Sequence, residues 1–219
     1  MQRLARLAIA AVLSGLTMTG AARADPPPNY VRLFGGVLVL PPVPANSPFE
    51  SQGGYIDYEL IAGLGYRLGA AIGRDMGPLV SVETELSFAR APFVAAIIPE
   101  EGTLDLTNVD RSIGILSLTG NLVVGPTLGP LRPYVAFGAG AARVHLDLGL
   151  DVVDDHDVAW TVQAMAGIDV ALSEALSIGG RYRFQVVGPT TYASAFSGDP
   201  FYLRTFTAHS FEASVLFRF

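Results

Sequence analysis

The sequence contains no cysteine, no lysine and a single tryptophan. Without cysteine there are no disulfides, no thiolate nucleophile and no Cys-ligated zinc or iron–sulfur cluster. All 14 basic residues are Arg, set against 20 carboxylates, for a net charge of −6. A nucleic-acid footprint needs clustered basic residues, so nucleic acid is not an expected partner. Charge is scarce as well: 16% of residues carry it, half are apolar, and the mean hydropathy is +0.41. Those values are too apolar for a disordered chain and high for a soluble domain. The 219 residues can bury a sizeable core. What is missing is the run of about 20 apolar residues that a membrane helix requires.

The one approach to such a run is N-terminal. Arg3 and Arg6 precede a short apolar stretch, Leu7 to Leu16, and Ala22-Arg23-Ala24 forms an A-x-A cleavage site. This predicts a secretory signal peptide over 1–24, removed before Asp25. The mature chain, 25–219, then keeps 11 Arg against 20 carboxylates and is more acidic than the whole. It also lacks the cysteine that lipid anchoring would use.

Alternation organises the remainder. In 79–90, Val80, Val82, Thr84, Leu86 and Phe88 share one face, and Ser81, Glu83, Glu85 and Ser87 the other. The same period of two recurs in 56–68, 113–124, 158–171 and 175–187. Three further segments, 30–40, 132–146 and 209–219, complete eight predicted strands. In the Gly- and Ala-rich 132–146 the phase has little contrast; Arg143 and His145 place Tyr134, Ala136 and Val144 on the apolar face. Connections alternate long and short, as in outer-membrane barrels with long external loops and short periplasmic turns. The expected fold is all-β, an eight-stranded antiparallel up-and-down transmembrane barrel.

On such a barrel, charge facing lipid costs about 2–4 kcal/mol for Arg at the midplane. The polar faces must therefore point inward, and eight strands leave an interior that side chains just fill. The expected lumen network is Arg32, Asp57, Glu59, Arg67, Glu83, Glu85, Asp169, Arg181, Arg183, Glu212 and Arg218, paired to limit the cost of burial. Lipid-facing aromatics are expected as two girdles, Phe88 and Trp160 near the outer interface, Tyr66, Tyr134 and Phe219 near the inner.

The chain ends with Phe211, Val215, Phe217 and Phe219 at alternate positions. This resembles the terminal signal of outer-membrane barrels, which implies reading by the barrel-assembly machinery. The stretches RPYVAFGAGAARV (132–144) and AGIDVALSEALSIGGRYRF (166–184), with the final VLFRF, resemble the small OmpA-like or opacity-type surface barrels. That resemblance implies a structural, antigen-like or adhesin-like role, embedded in outer-membrane lipid.

Sites of chemistry are few. His209, Ser210 and Glu212 are close in sequence, but on a strand His209 points away from the other two, so they form no triad. No enzyme activity and no cofactor are expected; a narrow passive porin and a lipid-modifying enzyme are the alternatives. Asp151, Asp154, Asp155 and Asp157 are weak candidates for a divalent cation, but their spacing is not that of an EF-hand and a solvated acidic loop is preferred. Tyr192, Phe196, Phe201 and Tyr202 in the last long loop, and Phe93, Val94, Ile97 and Ile98 in the second, are candidates for contact with an extracellular ligand. Extension of the strands above the membrane explains the same residues and is preferred.

Overall fold

The structure is a computed structural model that describes residues 29–49, 54–98, 102–106, 111–148, 154–193 and 200–219. The expected export segment 1–24 lies outside these. The described residues form thirteen strands: β1 (Asn29–Val39), β2 (Val43–Phe49), β3 (Gly54–Ala62), β4 (Gly65–Asp75), β5 (Val80–Ile98), β6 (Gly102–Asp105), β7 (Ser112–Val124), β8 (Leu131–Asp147), β9 (Asp154–Ala171), β10 (Leu176–Val187), β11 (Thr190–Ala193), β12 (Pro200–Leu203) and β13 (Phe206–Arg218).

Eight of them close a ring. Going round, β1 pairs with β4, then come β5, β7, β8, β9, β10 and β13, and β13 pairs again with β1, every pair antiparallel. Closure leaves this ring without a free edge. Chain ends meet at the bottom: Asn29 N–H donates to the Phe219 carbonyl at 3.1 Å and Phe219 N–H donates back at 2.9 Å. The turns at that end are short. In the turn at 128–131, Gly129 adopts φ 63°, a left-handed conformation that glycine takes without steric cost.

At the other end the wall continues upward. The upper half of β5 leaves β4 and pairs instead with β3 and with β6. Strand β3 pairs with β2, β2 with β12, and β12 with β11. Alternation predicts one membrane strand over 56–68. It is two: the chain breaks at Gly63 and Leu64, where Gly63 N–H donates to the Pro92 carbonyl, and the membrane strand runs from Gly65 to Asp75. A register shift between Ile61 and Ala62 accompanies the break.

Two interiors are stacked along the axis. The lower one is polar: Arg32, Arg67, Glu83, Glu85, Asp169, Arg181, Arg183 and Glu212 are all buried there. The upper one is apolar: Leu38, Leu60, Phe93, Ile113, Leu146 and Phe206 belong to one buried cluster. Around the lower storey the outward residues are Leu33, Leu68, Leu86, Leu122, Phe137, Val162 and others of that kind, all exposed. No helix among the described residues is long and apolar enough to cross a membrane.

Candidate functional site

The lower lumen is the densest concentration of chemistry in the molecule. Each of its charged groups is delivered by strand parity. Glu83 and Glu85 alternate with Val82, Thr84 and Leu86 on β5, while Arg181 and Arg183 lie two apart on β10. Across the barrel these meet in one cluster. Arg181 Nε lies 2.6 Å from Glu212 and its Nη2 3.2 Å from Glu85. Arg183 Nε donates to Glu212 at 2.8 Å, and Arg183 Nη2 donates to Glu85 at 3.0 Å. Arg67 is the third cation, 3.8 Å from Glu212, and donates to Ser210, Ser87 and Gln185. Gln185 in turn donates to Ser117 and Thr161, and Gln163 to Thr119 and Asn121.

A second cluster lies beneath. Arg32 forks onto Asp169 with bonds of 2.8 and 2.9 Å and reaches Glu83 at 3.3 Å, which also accepts from the Tyr30 hydroxyl. The bidentate geometry suits a planar guanidinium and a carboxylate. The Phe34 ring separates the tiers and carries the Arg181 guanidinium 4.0 Å above its centre. That ring needs a glycine under it: a Cβ on Gly69 would lie 2.3 Å from Phe34 Cζ. Lowest of all, at the mouth beside the short turns, Arg132 bonds Asp75 at 3.1 Å and Ser81, while Arg218 stands 3.8 Å from Asp75 and bonds Ser177. A cavity of about 430 Å³ opens there between Arg132, Arg218, Asp169 and Glu174.

Several sequence assignments are corrected. Asp57 and Glu59 do not reach the lumen. They lie on β3 in the upper storey, exposed, and Asp57 pairs with Arg204 on the surface at 2.6 Å. Tyr134 does not face lipid. The phase of β8 is the reverse of the one inferred, so Tyr134 is buried in the lumen with Arg32 5.2 Å from its ring centre, and Arg143 and His145 face outward. Its partner in register is Gly167, where a Cβ would meet the Tyr134 ring at 2.7 Å. Tyr66 faces lipid, but at the upper end of β4, where its ring lies 6.3 Å from that of Phe88. Neither Tyr192 nor Phe93 is an exposed loop residue: both are buried in the upper core, and burial pushes the Tyr192 hydroxyl pKa up.

Arg132 and Asp75 were missed. Asp75 shares the inward parity of Arg67 and Arg132 that of Tyr134, so both signals were present once β4 and β8 had the right bounds and phase. Trp160 and Phe88 are exposed on the outer wall, as are Phe211, Val215 and Phe217 on β13 and Phe219 just after it. His209 also faces the wall, its Nδ1 2.6 Å from the Tyr182 hydroxyl, while Ser210 and Glu212 point inside.

In the upper storey Phe201 is half-buried against Tyr58, and Tyr202 is also half-buried. Phe196 and Asp151 lie outside the described residues. Of the acidic-loop residues, Asp154 is described only in its backbone. Asp155 accepts from His156 N–H, and Asp157 accepts from Val158 N–H and Thr191 N–H. Among the described residues no three His, Asp or Glu are grouped to hold a metal.

A family model described as the outer membrane protein beta-barrel domain matches residues 8–219. The chain belongs to that family, and its setting is the outer membrane. No curated protein matches the sequence. Among solved structures, OprG from Pseudomonas aeruginosa is similar with a TM-score of 0.56 at 13% identity, over 90% of this chain and 99% of that one. Neisserial surface protein A is similar with a TM-score of 0.51 at 13% identity, over 87% of this chain and 97% of that one. At these identities the likeness is one of fold.

Proposed function

We propose that the protein is a non-conducting outer-membrane barrel with a structural or surface-interaction role, exercised through its extracellular storey. One observation carries this reading: the lumen is filled at two successive levels, first by the Arg–carboxylate clusters and then by the apolar core above them. A solute passing through would have to separate buried ion pairs and then cross a dry apolar plug; both steps are expensive. Short turns at one end and tall hairpins at the other support a plain end in the periplasm and a tall end outside the cell. Exposed Leu104 and Ile97, on opposite faces of the β5–β6 hairpin, give that storey apolar surface for an extracellular partner. The alternating aromatics of β13 serve as the signal for the assembly machinery. Catalysis has no support in the lumen, whose carboxylates are engaged by Arg, nor at His209, which bonds Tyr182 on the outer wall.

Single-channel recording in planar bilayers tests the proposal. Purified protein should give no steady open events. The paired variant Glu85→Ala with Arg183→Ala should also stay closed, because the apolar core above is untouched. Sizeable, steady conductance from the native chain would overturn the reading in favour of a passive pore. Unchanged lipid A acylation on overexpression, read by mass spectrometry, checks the absence of lipid-modifying activity.

A further inference from the structure

Of the arginines that belong to neither interior, Arg74 lies low on β4, Arg204 pairs with Asp57, and three others gather near the top of the outer wall. Arg90 on β5, Arg111 just before β7 and Arg143 on β8 lie on the outer wall, and among the described residues none has a carboxylate partner. They are close together. Strand pairing sets Arg90 opposite Gly114 and Gly114 opposite His145; one outward position lower, Phe88 is opposite Leu116 and Leu116 opposite Arg143. Arg90 is exposed, and its Nε donates to Ser112 Oγ at 3.2 Å. Arg111 Nε is buried without a partner among the described residues.

Two hollows flank Arg90. One, of about 310 Å³, is lined by Leu64, Tyr66, Pro92 and Arg111. The other, of about 300 Å³, is lined by Phe88, Gly114, Leu116, Arg143 and His145. Ser112 borders both. Gly114 lines the second hollow, and a side chain built there would point between Phe88 and His145, its Cβ 3.7 Å from each.

Depth can be inferred from cost. An outward Arg at the bilayer midplane costs about 2–4 kcal/mol, falling to about 0–1 near the interfaces. Below these arginines the wall presents Leu68, Leu86 and Leu122 to lipid. The cluster therefore marks the outer headgroup level. The exposed acids Asp57 and Glu59 stand on β3, in the storey above. On the β5–β7–β8 face Arg90, Arg111 and Arg143 are gathered, with one acid, Asp147, in register with Ser112 above Arg90 and Arg143.

We propose that this face is a binding site for the phosphorylated headgroup of an outer-leaflet lipid. Guanidinium forks match phosphate oxygens in number and spacing. The hollows sit at the top of an apolar wall, so a lipid can place its phosphate on Arg90 and Arg143 and run its chains down past Phe88 and Leu116. A soluble anion would gain nothing from that wall.

The test compares two lipids with the same chains. The protein is folded into phosphatidylcholine nanodiscs doped with either phosphatidic acid or diacylglycerol, and retained lipid is read by native mass spectrometry. Phosphatidic acid should be retained and diacylglycerol should not. Arg90→Ala with Arg143→Ala should lower retention by about tenfold or more, corresponding to about 1.4 kcal/mol per decade; Arg204→Ala, on the surface above, should leave it unchanged. Gly114→Leu fills the hollow without altering charge and should also lower retention, which keeps the proposal testable if the double variant fails to fold by heat-modifiable migration. Equal retention of diacylglycerol, or native retention in the double variant or in Gly114→Leu, would overturn it. So would complete displacement by millimolar inorganic phosphate, which would make the site one for soluble anions.

Discussion

The two storeys of this barrel share strands but have opposite interiors. On β5 the inward residues pass from Glu83, Glu85 and Ser87 to Ala89, Ala91 and Phe93. On β7 they pass from Thr119 and Ser117 to Ile115 and Ile113, on β9 from Gln163 and Thr161 to Ala159. On β10 the step is from Gln185 to Val187, and on β13 from Ser210 to Ala208. In each case the change takes a single inward position. The outward face changes in the opposite sense, from Leu68, Leu86 and Leu116 to Asp57, Glu59 and Arg143. Parity of the strands is constant; the medium outside is not. Where the wall meets lipid, polar groups can only go in. Where it meets water, the hydrophobic effect turns the same wall inside out.

The largest test of this contrast is Glu212→Ala. Glu212 lies against Arg181 and Arg183 and 3.8 Å from Arg67. Removing it leaves Glu85 alone with three buried cations. Stranding a buried charge in this way costs about 3–5 kcal/mol. Urea unfolding in lipid vesicles, read by loss of the compact band on unheated gels, should show that loss. A change below 1 kcal/mol would mean that water fills the lower lumen and screens it.

Phe93→Ala is the matching probe of the upper storey. Phe93 is buried among Leu60, Leu106, Ile113 and Leu146 in a core with no ion pair of its own. Truncating a buried Phe in a close-packed interior costs about 3 kcal/mol or slightly more through lost transfer energy and the cavity. The same unfolding assay reads it. The two variants should also differ in kind. Added salt should partly offset the damage of Glu212→Ala if water enters the lumen, and should do little for Phe93→Ala, whose loss is not electrostatic.

The inversion explains what was legible in the sequence and what was not. Strand type, strand number in the ring, and the inward sets on β5, β7, β9, β10 and β13 follow from alternation, because most of each strand lies in the lipid storey. The errors gather where the storeys meet. Asp57 and Glu59 alternate with Ile56, Tyr58 and Leu60 as cleanly as Glu83 alternates with Val82, yet they face water. Arg143 and His145 gave β8 the wrong phase for the same reason: they are polar at a height where polar residues point out. The counter-signal was on the next strand, since Gly167 leaves the space that an inward Tyr134 needs. A single rule, polar means inward, fails once the strand rises above the headgroups.

A smaller effect is expected at Arg204→Ala. Arg204 and Asp57 bond at 2.6 Å, as short as Arg181 and Glu212, but both side chains are more than half exposed. Exposed pairs contribute about 0–1 kcal/mol, because water and salt screen them and the side chains give up freedom to pair. The unfolding midpoint should move little, and less at high salt.

Smallest of all should be Glu59→Gln. Glu59 was grouped with Glu85 on sequence because both are carboxylates on alternating strands. In the structure Glu85 binds Arg181 and Arg183 while Glu59 faces solvent in the upper storey. An exposed substitution that touches no packed or paired group usually falls within about 0.5 kcal/mol of neutral. Glu85→Gln, by contrast, keeps the shape and removes the charge that two buried guanidiniums share. Measured side by side in vesicles, the pair separates parity from environment: if position along an alternating strand decided the cost, both would be harmful. Only if the surrounding medium decides it will Glu59→Gln be silent while Glu85→Gln unfolds the barrel at lower urea.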